Sequence, residues 1–216
     1  MPEHLEGFRI NNHVRESHMI AEVESKALGM SSQPDVTERL YTSTVRIRRF
    51  APEDAVSLYE ATRESISALC AWMVWCHPEY SLQDSRSFIL NCDRDWDRGE
   101  SFSFAIVDST DQRFLGSAGL SRLNSAHRFA NLGYWVRSSR AGQGIASAAV
   151  RLAAEFAFRE LNLHRLELVV PIGNKPSQRV ADKVGAHCEG VMRKRLIIGG
   201  KHHDAVLYAL LPEDIV

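Results

Sequence analysis

The chain has 216 residues, with 26 Lys and Arg against 27 Asp and Glu, so its net charge is −1. This length suffices for one domain that buries its own core, and the near balance of charge excludes proteins held to nucleic acid or anionic lipid mainly by bulk charge. No run approaches the ~20 apolar residues of a membrane helix, and the N-terminus lacks the apolar stretch of a signal peptide. We therefore expect a cytoplasmic protein that does not contact membrane or nucleic acid directly.

Residues 1–38 differ in composition from the rest of the chain. They carry seven acidic and three basic side chains, a net charge of −4, whereas residues 39–216 have a net charge of +3. They contain few large apolar residues, and their last residues are rich in Gly, Ser and Pro, a composition typical of linkers. A short helix is predicted around His18–Leu28. We predict an acidic extension at 1–38, flexible or partly helical, and one compact domain at 39–216.

The domain opens with a strand and two helices. Apolar and basic residues alternate over Val45–Arg49, as they do in a half-buried strand. Pro52 and the two acids after it are typical of a first helical turn, and apolar residues then follow helical spacing as far as Leu69. Ser81 and Asp84 have the spacing of a capping box, so a second helix is predicted to begin there.

Three strands come next, at Phe102–Val107, Phe114–Ser121 and Asn131–Val136. The helix that follows them has apolar residues on one face from Ile145 to Phe156. A strand, a short helix and two further strands complete the chain, at Arg165–Val170, Lys175–Val184, His187–Ile197 and Asp204–Leu210. The order β-α-α-β-β-β-α-β-α-β-β predicts a mixed α/β sheet in one domain.

A glycine loop joins the third of those strands to the long helix, with the sequence R-S-S-R-A-G-Q-G-I-A at residues 137–146. Glycines allow a close approach of the backbone, and the first amides of a helix have no internal partner, so the loop could bind an anion such as pyrophosphate. A Walker loop is excluded because Ile145 follows Gly144, and a dinucleotide fingerprint is excluded because Ser147 stands at the third glycine position. By this motif alone, a turn that binds nothing is equally open.

Further motifs flank this loop in a fixed order: G-Y-W-V at 133–136, G-Q-G-I-A at 142–146, N-K-P-S-Q-R-V at 174–180 and K-V-G-A at 183–186. Together they resemble the GNAT superfamily of acyl-CoA-dependent N-acetyltransferases, and its RimJ/RimL branch in particular. The resemblance covers about Leu40 to Leu211. It implies a mostly antiparallel central sheet with splayed strands and about four flanking helices, and transfer of an acetyl group from acetyl-CoA to a primary amine.

The resemblance also implies where acetyl-CoA binds. The strand of the first motif would pair with the pantetheine arm, the loop amides would hold the pyrophosphate, and the start of the next helix would approach the thioester sulfur. The residues so implied are Tyr134, Trp135, Val136, Arg137, Arg140, Ala141, Gly142, Gln143, Gly144, Ile145, Ala146, Asn174 and Ser177. Ala141 departs from the Gln or Arg that the family often has there, but we expect binding to survive because backbone amides make most of the contact. The amide of Val136 is the implied oxyanion donor.

The family's usual catalytic side chains are only partly present. Ala181 stands where many members have a tyrosine acid, and the likeness to RimL-type members implies Ser177 as the general acid instead. Capping of the helix that begins near Lys175 is the structural alternative for Ser177, and Tyr208 is an alternative acid.

The general base stays open, because Asn131 and Leu196 replace the two carboxylates that the resemblance leads one to expect. Glu167 is the first candidate, since a carboxylate in an apolar strand must face solvent, a partner or the site, and Glu100 and His203 are the others. An α-amine with pKa about 7.8 is roughly a tenth neutral at pH 7, whereas a lysine at about 10.4 is neutral about once in 2,500. A weak base therefore favours a protein N-terminus or another amine of low pKa as the acceptor.

The segment between the first two helices holds the candidate acceptor wall, formed by Trp72, Met73, Trp75 and His77. Core packing is the alternative for the tryptophans, and a cationic amine could also lie on a Trp face.

Alternative acceptors and functions stay open. The +3 charge of the domain disfavours a polyamine acceptor, and an antibiotic acceptor remains an alternative. A non-catalytic acyl-CoA sensor is another, because the usual acid and base are missing. No metal is predicted, a homodimer is left open, and the four cysteines, Cys70, Cys76, Cys92 and Cys188, are expected to be half-buried free thiols.

Overall fold

A seven-stranded sheet organises residues 40–215, the part of the chain that this structure, a computed structural model, describes. The acidic extension predicted at 1–38 and its helix at His18–Leu28 lie outside the described residues. The strands are β1 (Val45–Arg49), β2 (Phe102–Asp108), β3 (Phe114–Asn124), β4 (Phe129–Val136), β5 (Arg165–Pro171), β6 (His187–Ile198) and β7 (Lys201–Leu210). The helices are α1 (Asp54–Glu64), α2 (Ile66–Cys70), α3 (Leu82–Asp97), α4 (Ile145–Arg159) and α5 (Lys175–Val184). No helix in this described part is long and apolar enough to cross a membrane.

The strand order is β1-β2-β3-β4-β5-β7-β6, and every neighbouring pair is antiparallel except β4 and β5. That parallel pair is short, since only Phe129–Asn131 pairs with Arg165–Glu167. Beyond Asn131 the two strands diverge, and the rest of β4 keeps a partner on its β3 side alone. The predicted mixed sheet, mostly antiparallel with splayed strands, is confirmed.

Most elements lie where the sequence predicts them, and the capping box at the start of α3 is formed, with the Ser81 hydroxyl accepting from the Asp84 amide at 3.3 Å. The predicted helix to Leu69 is instead two helices, so the described residues contain five helices rather than about four. The break falls at Ser65, whose φ of −102° is not helical. The Ser65 hydroxyl accepts a hydrogen bond from the Ser138 amide at 2.9 Å, so the chain at this break is bound to the loop after β4.

Two apolar clusters cover the two faces of the sheet. One packs under α4 and α5 and includes Phe104, Leu132 and Leu166, and the other packs under α1, α2 and α3 and includes Leu58 and Phe114. Because side chains alternate along a strand, β4 contributes to both clusters. Tyr134 and Val136 therefore lie on the α4/α5 face, and Trp135 lies on the opposite face.

Gly116 on β3 fixes the position of the unpaired half of β4. It lies opposite Val136, and a Cβ on Gly116 would stand 2.1 Å from the carbonyl oxygen of Trp135. We predict that Gly116→Ala lowers the free energy of unfolding by about 2–3 kcal/mol because β4 must shift. Urea denaturation measures this, with Gly119→Ala as the matched control, since its nearest neighbour is the Ser103 hydroxyl at 3.4 Å. Equal losses in the two variants would contradict the prediction.

Candidate functional site

The loop between β4 and α4 presents a row of backbone amides. Gly142 and Gly144 have φ values of +77° and +81°, which side-chain-bearing residues rarely adopt. Within the described part of the chain, the amides of residues 142–147 have no hydrogen-bond acceptor. The positive end of the α4 dipole lies at the same place, an arrangement that suits an anion.

An ion pair with a carboxylate on α1 holds this loop in place. The guanidinium of Arg137 donates to the Glu64 carboxylate, with Nε at 3.0 Å, and to the Phe114 carbonyl oxygen at 3.2 Å. The same carboxylate accepts from the Ser139 amide at 2.8 Å. Bonding to Arg137 and Ser139 lowers the pKa of Glu64 to about 2. The Arg137 side chain, predicted to contact the cofactor, therefore anchors the loop and does not line the cleft.

A cleft of about 760 Å³ lies over the loop, between α4, α5 and the unpaired half of β4, and it extends to α2 at Ala68 and Leu69. Three cations line it, namely Arg140, Arg179 and Lys183, and the described residues provide none of them with an ion-pair partner. The Lys183 Nζ lies 3.8 Å from the Cβ position of Gly144, at the free amides. Only Arg140 was predicted. Arg179 and Lys183 were missed, although their i, i+4 spacing on α5 puts them on one helix face.

The free edge of β4 faces this cleft. The Arg137 amide donates to the Leu115 carbonyl oxygen at 2.8 Å, on the β3 side. Backbone groups alternate in direction along an antiparallel strand, so the Trp135 amide also faces β3. The amides of Tyr134 and Val136 then point the other way, into the gap that β5 leaves. This is the edge at which the family resemblance implies pantetheine pairing and the oxyanion donor.

Ser177 lies in the first turn of α5, on the far side of the gap. The cap of this helix is Asn174, whose side-chain oxygen accepts from the Ser177 amide at 3.2 Å. The Ser177 hydroxyl is therefore not needed as the cap, and it lies 2.8 Å from the phenol oxygen of Tyr134. That phenol also contacts the Ser177 carbonyl oxygen at 3.1 Å, and burial raises the pKa of Tyr134 to about 12.

A second cavity of about 370 Å³ opens on the opposite face of β4, beneath the segment between α2 and α3. It shares Met73, Tyr134 and Trp135 with the cleft, so the two spaces meet at β4. Its floor consists of small residues, namely Ser101, Ser103, Ser117, Ala118, Gly119, Ser121 and Gly133. Its aromatic walls are Trp75, Tyr80, Phe88 and Trp135. None of the described residues that line it carries a charge.

The predicted acceptor wall is divided between the two spaces. Trp72 lines the larger cleft and packs over the turn before α5, with its ring 3.0 Å from the Cβ position of Gly173. Met73 lines both spaces, and Trp75 lines the second cavity. His77 lines neither, and its Nε2 lies 3.7 Å from the Asp84 carboxylate.

Cys70 and Cys76 bound this wall segment, and their sulfurs lie 2.6 Å apart. The sequence does not predict this contact. Cys70 and Cys76 are half-buried, as expected, whereas Cys92 is buried and Cys188 is exposed. Burial raises the pKa of the Cys76 thiol to about 12.

Glu167, the first candidate for the base, lies outside both spaces. It pairs across from Asn131, where β4 and β5 are still joined, and its carboxylate accepts from Arg165 Nε at 3.2 Å. Arg165 also binds Glu189 at 2.6 Å. Gln143 does not line the cleft either. Among the described residues there is no cluster of three or more His, Cys, Asp or Glu side chains that could hold a metal ion.

Similarity to known proteins agrees with this geometry. A family model described as an acetyltransferase (GNAT) domain matches residues 44–187. YdaF of Bacillus subtilis (strain 168), described as a candidate ribosomal N-acetyltransferase, is 31% identical over 172 residues that cover 79% of this chain and 92% of YdaF. Spermidine N(1)-acetyltransferase of Escherichia coli (strain K12) is 28% identical over 109 residues, 47% of this chain and 59% of that protein. Mycobacterium smegmatis RimJ, solved in complex with CoA-disulfide, has a TM-score of 0.72 and 28% identity, and the match covers 79% of this chain and 83% of that one.

The anchor at Glu64 leads to a pH-dependent prediction. Its pKa in the folded protein lies below the ordinary value of 4.5, so the stabilisation is present above pH 4.5 and is lost as the pH falls toward 2. At pH 7, Glu64→Gln should lower the free energy of unfolding by about 1–2 kcal/mol, allowing for partial exposure of the pair. The difference between the variant and the parent should shrink steadily as the pH falls from about 4.5 toward 2.

Denaturant unfolding at several pH values measures this difference. Glu60→Gln, at an exposed position one turn earlier on α1, is the control and should cost little at any pH. A loss at Glu64 that does not change with pH, or an equal loss at Glu60, would show that the ion pair does not hold the loop.

Proposed function

The chain belongs to the GNAT family of acetyltransferases, and we propose that its acceptor is an α-amine, with a protein N-terminus as the first candidate. It is an acetyl-CoA-dependent N-acetyltransferase that acts on amines. The proposal adds the class of amine, the route by which it reaches the thioester and the residues that assist the transfer. The observation that carries it is the uncharged cavity that meets the cofactor cleft at β4.

The residues present in the cleft fit acetyl-CoA. The free amides of residues 142–147 match the pyrophosphate, and the three cations that line the cleft match the remaining phosphate charge. The unpaired edge of β4 offers the Tyr134 and Val136 amides to the amide groups of the pantetheine arm. When bound, acetyl-CoA supplies the acetyl group as a thioester that a neutral amine attacks directly.

The two spaces support direct attack within a ternary complex. Because the two spaces meet at β4, an amine in the second cavity and a thioester in the cleft can approach each other at the same strand. Holding two reactants in line in this way can remove about 7–11 kcal/mol of the barrier. The Val136 amide, unpaired in the gap, is then placed to donate to the oxygen on which negative charge develops.

The lining of the second cavity favours an acceptor with a single amine and a small, uncharged remainder. A polyamine carries further ammonium groups, and burying them without carboxylate partners is costly. The floor instead offers serine hydroxyls, such as Ser103 and Ser117, which suit a short polar or small apolar side chain. Polyamine acetylation, the activity named for the E. coli relative, is the alternative that the experiment below excludes or establishes.

Ser177 is the proposed general acid, since its hydroxyl lies in the cleft and is not needed as the helix cap. No carboxylate lines either space among the described residues, and Glu167 is held by Arg165. The amine is therefore proposed to enter in its neutral form. That requirement again favours an α-amine over lysine, because the free-energy cost of deprotonation at pH 7 is about 3.5 kcal/mol lower.

Release of CoA thiol with a matched set of acceptors tests the proposed class. We expect kcat/KM for a short peptide with a free N-terminal Ser or Ala to exceed that for spermidine, and for the same peptide with a blocked N-terminus and one lysine, by at least about 100-fold. Spermidine as the best acceptor would overturn the proposal. Binding of CoA without turnover of any amine in the set would overturn it in favour of a sensor.

A pair of variants tests whether the acceptor binds in the second cavity. Ser103→Val fills part of the floor, so KM for the peptide should rise about tenfold while the Kd for CoA stays within about twofold. Ser87→Val, at an exposed position on α3, is the control. An unchanged peptide KM in Ser103→Val would place the acceptor elsewhere.

A further inference from the structure

The hydroxyl of Ser177 has a partner that the sequence does not predict. The phenol oxygen of Tyr134 lies 2.8 Å from it, although the two residues are 43 positions apart and come from different elements. Tyr134 was predicted to contribute only its backbone to cofactor binding. Its side chain is half-buried against the α4/α5 core and reaches across the gap to the first turn of α5.

A lone serine is a poor source of the proton that the reaction needs. The sulfur of the departing thiolate would have an ordinary thiol pKa of about 8.5, whereas a serine hydroxyl is a far weaker acid. Giving up the proton leaves an alkoxide, which is costly in a sheltered cleft unless another donor acts at once. A phenol is a stronger acid than a serine hydroxyl and is already in hydrogen-bonding contact here.

We propose that Tyr134 is the positioning residue for Ser177, holding its hydroxyl toward the gap and replacing the proton that it gives away. This inference rests on the proposed role of Ser177 as the general acid. As the carbon–sulfur bond breaks, the sulfur takes the proton from Ser177 Oγ, and Oγ takes one from the Tyr134 phenol. The nitrogen of the attacking amine loses one proton to solvent as the amide forms. Solvent returns one proton to the phenol after the product leaves, so the protein ends each cycle unchanged.

The surrounding contacts support a dedicated pair. The Tyr134 phenol can donate its one proton either to the Ser177 carbonyl oxygen at 3.1 Å or to the Ser177 hydroxyl oxygen at 2.8 Å, and the relay uses the shorter contact. Asn174 caps α5, so the Ser177 hydroxyl remains available. Ala181, one turn further along α5, is fully buried and has no polar group. Tyr134, on β4, therefore provides a phenol next to a helix, α5, that has no tyrosine at this position.

A double-mutant cycle with Tyr134→Phe and Ser177→Ala tests the pairing. Tyr134→Phe retains the ring, so we expect kcat to fall about 10-fold or more with KM for acetyl-CoA and the Kd for CoA unchanged within about twofold. The double variant should be no slower than Ser177→Ala alone, within about twofold. Tyr59→Phe, a half-buried tyrosine on α1, is the matched control and should leave kcat unchanged.

A spectroscopic measurement on the free protein gives a second readout that does not depend on turnover. With tyrosine labelled at 13Cζ, the Tyr134 resonance is the one missing from Tyr134→Phe, and it should shift in Ser177→Ala. An unshifted resonance would overturn the inference. So would a Tyr134→Phe effect of equal size in the parent and in the Ser177→Ala background, because the two residues would then act independently.

The outcomes separate this inference from the function on which it rests. If Ser177→Ala lowers kcat and Tyr134→Phe does not, the positioning role is wrong and the acid role of Ser177 stands. If neither variant lowers kcat, both roles are wrong. A fall in kcat with both, without additivity and with a shifted resonance, supports both.

Discussion

The early separation of β4 from β5 is the constraint on which the rest of the structure depends. Their pairing ends at Asn131, yet β4 continues for five more residues with β3 on one side only. Unpaired backbone amides are costly when buried, so this edge must face water or a ligand that offers acceptors. The gap therefore sets the place of the cofactor, and the loop, the cations and α5 are arranged around it.

The gap keeps its shape only if β4 is held in position. Gly116 lets β3 approach β4 closely, and Arg137, directly after β4, is bound to Glu64 on α1. The break at Ser65 brings a second group to the same loop. The helices that cover the second cavity therefore also hold the glycine loop beside the cleft, so one structural unit supports both spaces. The contact between the Cys70 and Cys76 sulfurs lies within this unit, beside the wall of the second cavity.

Local sequence patterns predicted the elements and the glycine loop closely, because alternation, capping boxes and glycine positions act over a few residues. The first residue of α3 and both ends of α5 follow directly from such signals. The site was predicted less completely, because its decisive contacts join distant parts of the chain. The pairing of Arg137 with Glu64 spans 73 positions and turned an expected cofactor contact into an anchor. Glu167 lies where β4 and β5 are still paired, and that position depends on strand register, which no local sequence pattern encodes.

Binding of the pantetheine arm at the free edge of β4 is tested most directly by amide-resolved hydrogen exchange with and without CoA. Because the backbone alternates, we predict that the amides of Tyr134 and Val136 exchange quickly in the free protein and slow markedly with CoA. The amide of Trp135, already facing β3, should exchange slowly in both states. Unchanged exchange at Tyr134 and Val136, or equal slowing at all three positions, would contradict the account.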